Sequence, residues 1–338
     1  MSFLDEMRKI NIKEIARIAG VDISTVSRAL QNSPRVKLKT KKNILKIAKE
    51  KGYVPNEIAR SLKTNKTKVI GLIVSDINNP FFTEIISGVE SYLAKNDYSI
   101  ILCNTNYDPL KENKFLYLLL SKGVEGIIIT PTSLEFLPID FFKLNRIPSV
   151  ILDIKYRHLE TNCVYVDQEL GAYFAIKYLF EKGHKKIAFI AGPKKMSSSE
   201  QAIKGFRRAY KNFNISFNNE LILNIPQNYE DAYRATLKLL DSHKDITAIF
   251  SLTDFMCIGI YRAIHEKKLM IPEDIAVMGY DDLSIASFLQ PLLTTVKQPN
   301  IEIGEKAAEI ILGNIKEGLG WKPQTIKIKP ELIIRQSV

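Results

Sequence analysis

The sequence predicts a small all-α head followed by an α/β body of two parallel-sheet lobes. Three observations carry this. Charge is segregated: residues 1–68 hold 17 Lys+Arg against 6 Asp+Glu, while the rest of the 338-residue chain holds 31 of each. Apolar residues recur at helical spacing through residues 11–52, and from Val69 onward short apolar runs alternate with amphipathic stretches. The formal charge of +11 therefore belongs to residues 1–68, and the body is neutral. A concentrated basic module calls for an anionic partner.

Composition narrows the classes further. With 46% hydrophobic and 25% charged residues, the chain has the makeup of a globular protein. No apolar run reaches membrane-spanning length, and the first residues, with Asp5 and Glu6, lack the apolar core of a secretory signal. Cys103, Cys163 and Cys257 are odd in number and far apart, and the four histidines are isolated. Neither a disulfide framework nor a zinc site is expected, and the expected compartment is a reducing cytoplasm.

The head reads as three short helices. Asn11 caps the first, with Glu14 three residues on, and Ile12, Ile15, Ala16 and Ile18 supply its apolar face. Gly20 ends it and Asp22 is placed to cap a second helix over residues 23–31. There Val26, Ala29 and Leu30 point inward, and Ser24, Thr25, Ser27 and Arg28 point outward. A third helix, residues 39–51, carries Ile44, Leu45, Ile47 and Ala48 inward and a row of lysines outward. Two helices joined by a tight glycine turn form a helix-turn-helix, and the local cations suit phosphate neutralisation.

Four blocks resemble the lactose-repressor (LacI/GalR) family: Ile12–Val21, Ser24–Arg28, Gly52–Asn56 and Ala59–Leu62, in matching order and spacing. The resemblance implies that the second helix enters the major groove of double-stranded operator DNA. Ile23 and Ser24 then take base-reading positions, Arg28 donates two hydrogen bonds to guanine, and Thr25 and Ser27 set register. It also implies a hinge helix containing Asn56 and Ala59. In it Leu62 wedges into the minor groove beside Lys63, which meets phosphate or a base edge. Lys37 departs from the family, which usually caps the third helix with serine here.

The body gives strands at residues 69–74, 99–103, 126–130 and 149–152, then at 186–191, 248–252 and 275–280, with helices near 82–95 and 110–121 between the first three. Continuous apolar runs are strands buried on both faces. Ligands bind beyond the carboxyl ends of such strands, where this chain places Asp76, Asn79, Phe81, Phe82, Thr130, Asp153, Gln201, Thr253 and Asp281. Amides, carboxylates and rings around one cleft suit a polyhydroxy ligand. No phosphate loop, dinucleotide fingerprint or nucleophile elbow occurs, so neither enzymatic activity nor a cofactor is expected.

For the body, the resemblance implies two lobes of periplasmic-binding-protein type. Phe81 and Phe82 then enclose a small sugar-like effector, with Asp153, Thr253 and Asp281 as its polar contacts. Where many members have an arginine three residues before a Gly-Phe pair, this chain has Ala202 ahead of Gly205-Phe206. Another donor (Gln201, Ser198 or Lys195), a different effector, or a protein co-regulator in place of the effector are the alternatives this leaves open.

Domain boundaries follow: head 1–55, hinge and linker 56–68, first lobe 69–166 with 298–327, second lobe 167–297 with 328–338. The expected assembly is a homodimer on a pseudo-palindromic operator, associated with the nucleoid. The rival reading, a periplasmic solute-binding protein, leaves the basic head without a purpose.

Overall fold

A computed structural model of the chain describes residues 10–54, 66–132, 139–153, 161–194 and 196–338. The chain forms two compact units, one reaching to Thr67 and the other spanning Lys68–Val338.

In the smaller unit, α1 (Ile12–Ala19), α2 (Ile23–Leu30) and α3 (Leu38–Glu50) enclose Ile15, Ala16, Val26, Ala29 and Ile44. Asn11 Oδ1 accepts the Glu14 amide at 3.1 Å, the first half of a capping box. Gly20 ends α1 in the left-handed region, at φ 63°. Three expectations fail here: Ile18, placed on the apolar face of α1, is 42% exposed, and Asp22 and Leu45 also depart. Asp22 sits at the N-cap of α2 without a side-chain bond to the helix. Leu45 was expected inward but is 42% exposed. Ile44 and Ala48, one turn apart, take the core-facing line, and Leu45 lies about 100° around the helix from it.

The larger unit runs β1 (Val69–Val74), α4 (Pro80–Ala94), β2 (Ser99–Asn104), α5 (Pro109–Ser121), β3 (Gly126–Ile129), α6 (Ile139–Asn145), β4 (Ser149–Leu152) and β5 (Asn162–Val166). Then come α7 (Gln168–Glu181), β6 (Ile187–Ala191), α8 (Ser197–Asn212), β7 (Ile222–Asn224), α9 (Tyr229–Ser242), β8 (Ala248–Ser251), α10 (Asp254–Glu266), β9 (Ala276–Asp281) and β10 (Thr294–Lys297). Helix α11 (Asn300–Glu317) and strands β11 (Thr325–Ile328) and β12 (Glu331–Ile333) complete it.

The strands form two six-stranded sheets, ordered β11-β5-β4-β3-β1-β2 and β12-β10-β9-β8-β6-β7. Every pairing is parallel except β10 with β12, an antiparallel edge that the parallel expectation did not include. The order repeats position for position, so β4 corresponds to β9 and β5 to β10. Between the sheets the chain crosses three times: from β5 to α7, from β10 to α11, and from β11 to β12. Each lobe is therefore assembled from separate stretches of sequence.

Helices α4 and α11 meet backbone to backbone. A Cβ on Gly88 would lie 2.1 Å from the Ile301 carbonyl oxygen, and one on Gly304 would lie 2.2 Å from that of Ile85. Only glycine permits this approach. It fastens the helix that opens at the cleft to the helix that follows the second crossing.

Candidate functional site

The head presents one uncommitted face. On α2, Ile23, Ser24 and Arg28 are exposed, and Thr25 and Ser27 are half-buried. Val26 and Ala29, on the other side, pin the helix to the core. Ser27 Oγ accepts only a long bond from Gln31, and Arg28 has no ion-pair partner among the described residues. A guanidinium held on a rigid helix without a local acid is free for an outside acceptor. Lys39, Lys42, Lys46 and Lys49 are exposed along α3, and of these only Lys46 meets an acid, Glu50 one turn on. Asn56, Ala59, Leu62 and Lys63 lie outside the described residues.

In the body, the carboxyl ends of the two sheets face a narrow space of about 40 Å³. Of the residues expected there, Asn79, Phe81, Phe82, Asp153, Thr253 and Asp281 line it. Asn79 caps α4 by accepting the Phe81 amide at 3.1 Å, and Pro80 begins the helix, so the two rings are set by the first turn. They pack edge to face with centroids 5.0 Å apart.

Asp76, Thr130 and Gln201 are not among the residues lining this space. Asp76 accepts the amide and side chain of Asn78, Thr130 donates to the Ile73 carbonyl, and Gln201 donates to Ser197. Ala202 is fully buried in the second lobe's core.

A hydrogen-bonded string joins the lobes across the space. Thr253 Oγ1 and Gln298 Nε2 each donate to Asp281 at 2.6 Å. Gln168 Nε2 lies 3.2 Å from both Gln298 Oε1 and Asp153 Oδ1. Sequence reasoning missed Gln168 and Gln298 as site residues, along with Met196, Gln227 and Leu252. The available signal was position: each glutamine follows β5 or β10 at a crossing, where a side chain reaches both lobes.

The two acids occupy corresponding places at the ends of β4 and β9, and both adopt left-handed backbone, at φ 62° for Asp153 and 112° for Asp281. Non-glycine residues adopt that conformation at a cost, which the surrounding bonds offset. Burial pushes the Asp153 carboxyl up to about 6, opposed by the Gln168 bond. Burial, then the charge of nearby Asp254, drives Asp281 well above the usual carboxylate range. Gln168 Oε1 and Tyr280 Oη are buried without a partner among the described residues, leaving acceptor and donor capacity next to the string.

The raised Asp153 value has a measurable consequence. The folded chain holds this proton more tightly than the unfolded chain does. The resulting stabilisation is complete below pH 3.8 and is lost as pH rises through about 6. Asp153→Asn is expected to remove that slope and to raise stability at pH 7 by about 1–3 kcal/mol. Urea unfolding of both proteins between pH 4 and 7 measures it; parallel profiles would show that Asp153 is not held in this environment.

The comparisons with known proteins agree with this geometry. Residues 11–56 match the family of bacterial regulatory proteins called lacI, and residues 67–336 match the periplasmic binding proteins and sugar-binding domain of the LacI family. The chain belongs to the lacI family of bacterial regulatory proteins. It is thus a DNA-binding regulator whose second domain is of the sugar-binding kind. It is 37% identical over 328 residues to the transcriptional repressor PurR of Vibrio vulnificus, covering 97% of this chain and 98% of that protein. To the ribose operon repressor of Haemophilus influenzae it is 34% identical, with the same coverage.

A LacI-family regulator from Enterococcus faecium with bound ribose superposes with a TM-score of 0.72 at 30% identity, over 80% of this chain and 98% of that one. The lac repressor dimer bound to operator shares the fold, with a TM-score of 0.87 at 24% identity over 98% and 99% of the two chains. Among the described residues no helix is long and apolar enough to cross a membrane, and no cluster of acids, histidines and cysteines is placed to hold a metal.

Proposed function

We propose that this lacI-family member is a transcriptional repressor acting as a homodimer on a pseudo-palindromic operator. Helix α2 reads the major groove, with Arg28 on guanine, Ile23 and Ser24 at the base edges, and Thr25 and Ser27 fixing register. Asn56, Ala59, Leu62 and Lys63 form the hinge that meets the minor groove. The interlobe cleft takes a small uncharged polyhydroxy metabolite, which biases the lobes toward one arrangement and so changes operator affinity. The chain carries out no catalysis, uses no cofactor and works in the cytoplasm on the nucleoid.

The observation that carries the proposal is the pairing, in one chain, of an exposed recognition face whose Arg28 has no ion-pair partner among the described residues with a cleft strung by hydrogen bonds between two lobes. The relatives support it: two are named as repressors, and the Enterococcus faecium structure holds ribose.

Selection from a random duplex library is expected to yield a two-fold symmetric site. Arg28→Ala is then expected to weaken binding by about 1–3 kcal/mol and to relax preference at one base pair per half-site. An unaltered base preference would remove Arg28 from readout, and a library that yields no site would overturn the repressor reading.

A further inference from the structure

The first lobe carries a second cavity, far larger than the interlobe space, at the opposite end of its sheet. It measures about 420 Å³, within the range of small-molecule sites. Ser149 and Asn162, the first residues of β4 and β5, line it, whereas the cleft uses Asp153 just past the other end of β4. The chain enters the body at this same end of the parallel sheet, where β1 begins.

Its polar wall is built in advance. Trp321, the chain's single tryptophan, donates Nε1–H to Asn162 Oδ1 at 2.7 Å. The same Asn162 donates to the Ser149 carbonyl at 2.9 Å and to Asn314 Oδ1 at 3.2 Å. The indole lies on Gly313, where a Cβ would come within 2.7 Å of the ring. Phe142 and neighbouring aliphatic side chains supply the apolar surface.

The rim is cationic. Lys143 and Arg146 line the cavity, and among the described residues no acid lines it and neither cation has an ion-pair partner. Arg146 ends α6 in left-handed backbone, φ 49°, where glycine would be the unstrained choice. A strained arginine on the rim of a preformed aromatic cavity is a feature that helix termination alone does not require.

We propose that this cavity is a second ligand site, selective for an organic anion with a flat apolar body. Lys143 and Arg146 hold its carboxylate, sulfonate or phosphate, and its ring system lies between Trp321 and Phe142. This chemistry differs from that of the cleft, whose described lining contains two acids and no cation.

Anilinonaphthalene sulfonate, an aromatic anion, is a direct probe on the full chain, because Trp321 is the only tryptophan donor for energy transfer. Saturable transfer at one equivalent is expected. Affinity should fall at least tenfold in the Lys143→Gln/Arg146→Gln double variant and stay unchanged in Asp281→Ala. Arg146→Gly relieves the backbone strain, so it should melt no lower than the wild type while binding the probe more weakly. Absence of saturable transfer, equal affinity in the double variant, full affinity in Arg146→Gly, or loss of binding in Asp281→Ala would each overturn the proposal.

Discussion

Raising salt from 50 to 200 mM is expected to weaken operator binding by about 10³–10⁵-fold. The figure follows from roughly 6–10 phosphate contacts, each releasing condensed counterions when a cation replaces them. The head has the means. Together with its hinge and linker (residues 1–68) it carries 17 basic residues against 6 acids, and the described lysines of α3 stand largely in solvent. The body, with 31 of each sign, adds no net attraction for the duplex. Fluorescence anisotropy with the selected duplex at five or more salt concentrations gives the slope directly. A slope near zero would mean that the head's cations do not meet phosphate, and the DNA-binding role would fall with it.

Asp281→Ala is expected to weaken effector binding by at least about a hundredfold. Both carboxylate oxygens already accept short bonds, from Thr253 and Gln298, and the group sits in a desolvated place between the lobes. Truncation removes the ligand's acceptor and leaves two buried donors without a partner. Losing bonds of this kind costs about 1.5–3 kcal/mol each. Asp281→Asn keeps the shape and one acceptor, so it should bind more weakly than the wild type but more tightly than the alanine variant. A thermal-shift panel of uncharged sugars and nucleobases identifies a ligand, and calorimetric titration of the three proteins ranks them. Equal affinities would place the effector elsewhere than this cleft.

Much of the fold was legible because its central strands announce themselves. Runs such as Ile187–Ala191 and Gly126–Ile129 are buried on both faces and need no partner information to be recognised. Strand β10 was missed for the opposite reason. Its Thr294 and Thr295 are fully buried, yet a threonine pair reads locally as surface. Burial is possible because Thr295 donates to Asp254 at 2.6 Å and Thr294 accepts from the Arg335 amide at 3.0 Å. Both partners lie 41 residues away along the chain.

The cleft shows the same division. Asp153, Thr253 and Asp281 end or follow apolar strands and could be found. The glutamines between them gain meaning only when the crossings bring β5 and β10 side by side. Asp76, Thr130 and Gln201 carried the right chemistry at strand or helix ends, but their own neighbours consume it.

The three crossings also govern how the protein can be made. When the ribosome has released the chain through Lys297, the first sheet still lacks its edge strand β11 and the helix α11 that covers Val150, Leu152 and Val164. The second sheet lacks β12 and Ser337, whose hydroxyl bonds Val277 and Thr294 across β9 and β10. Both lobes are thus finished only well after Lys297, the first by β11 and the second a few residues later by β12 and Ser337. A nascent chain cut short before β11 would expose two open cores at once, so premature termination delivers a protease substrate rather than a half-working sensor.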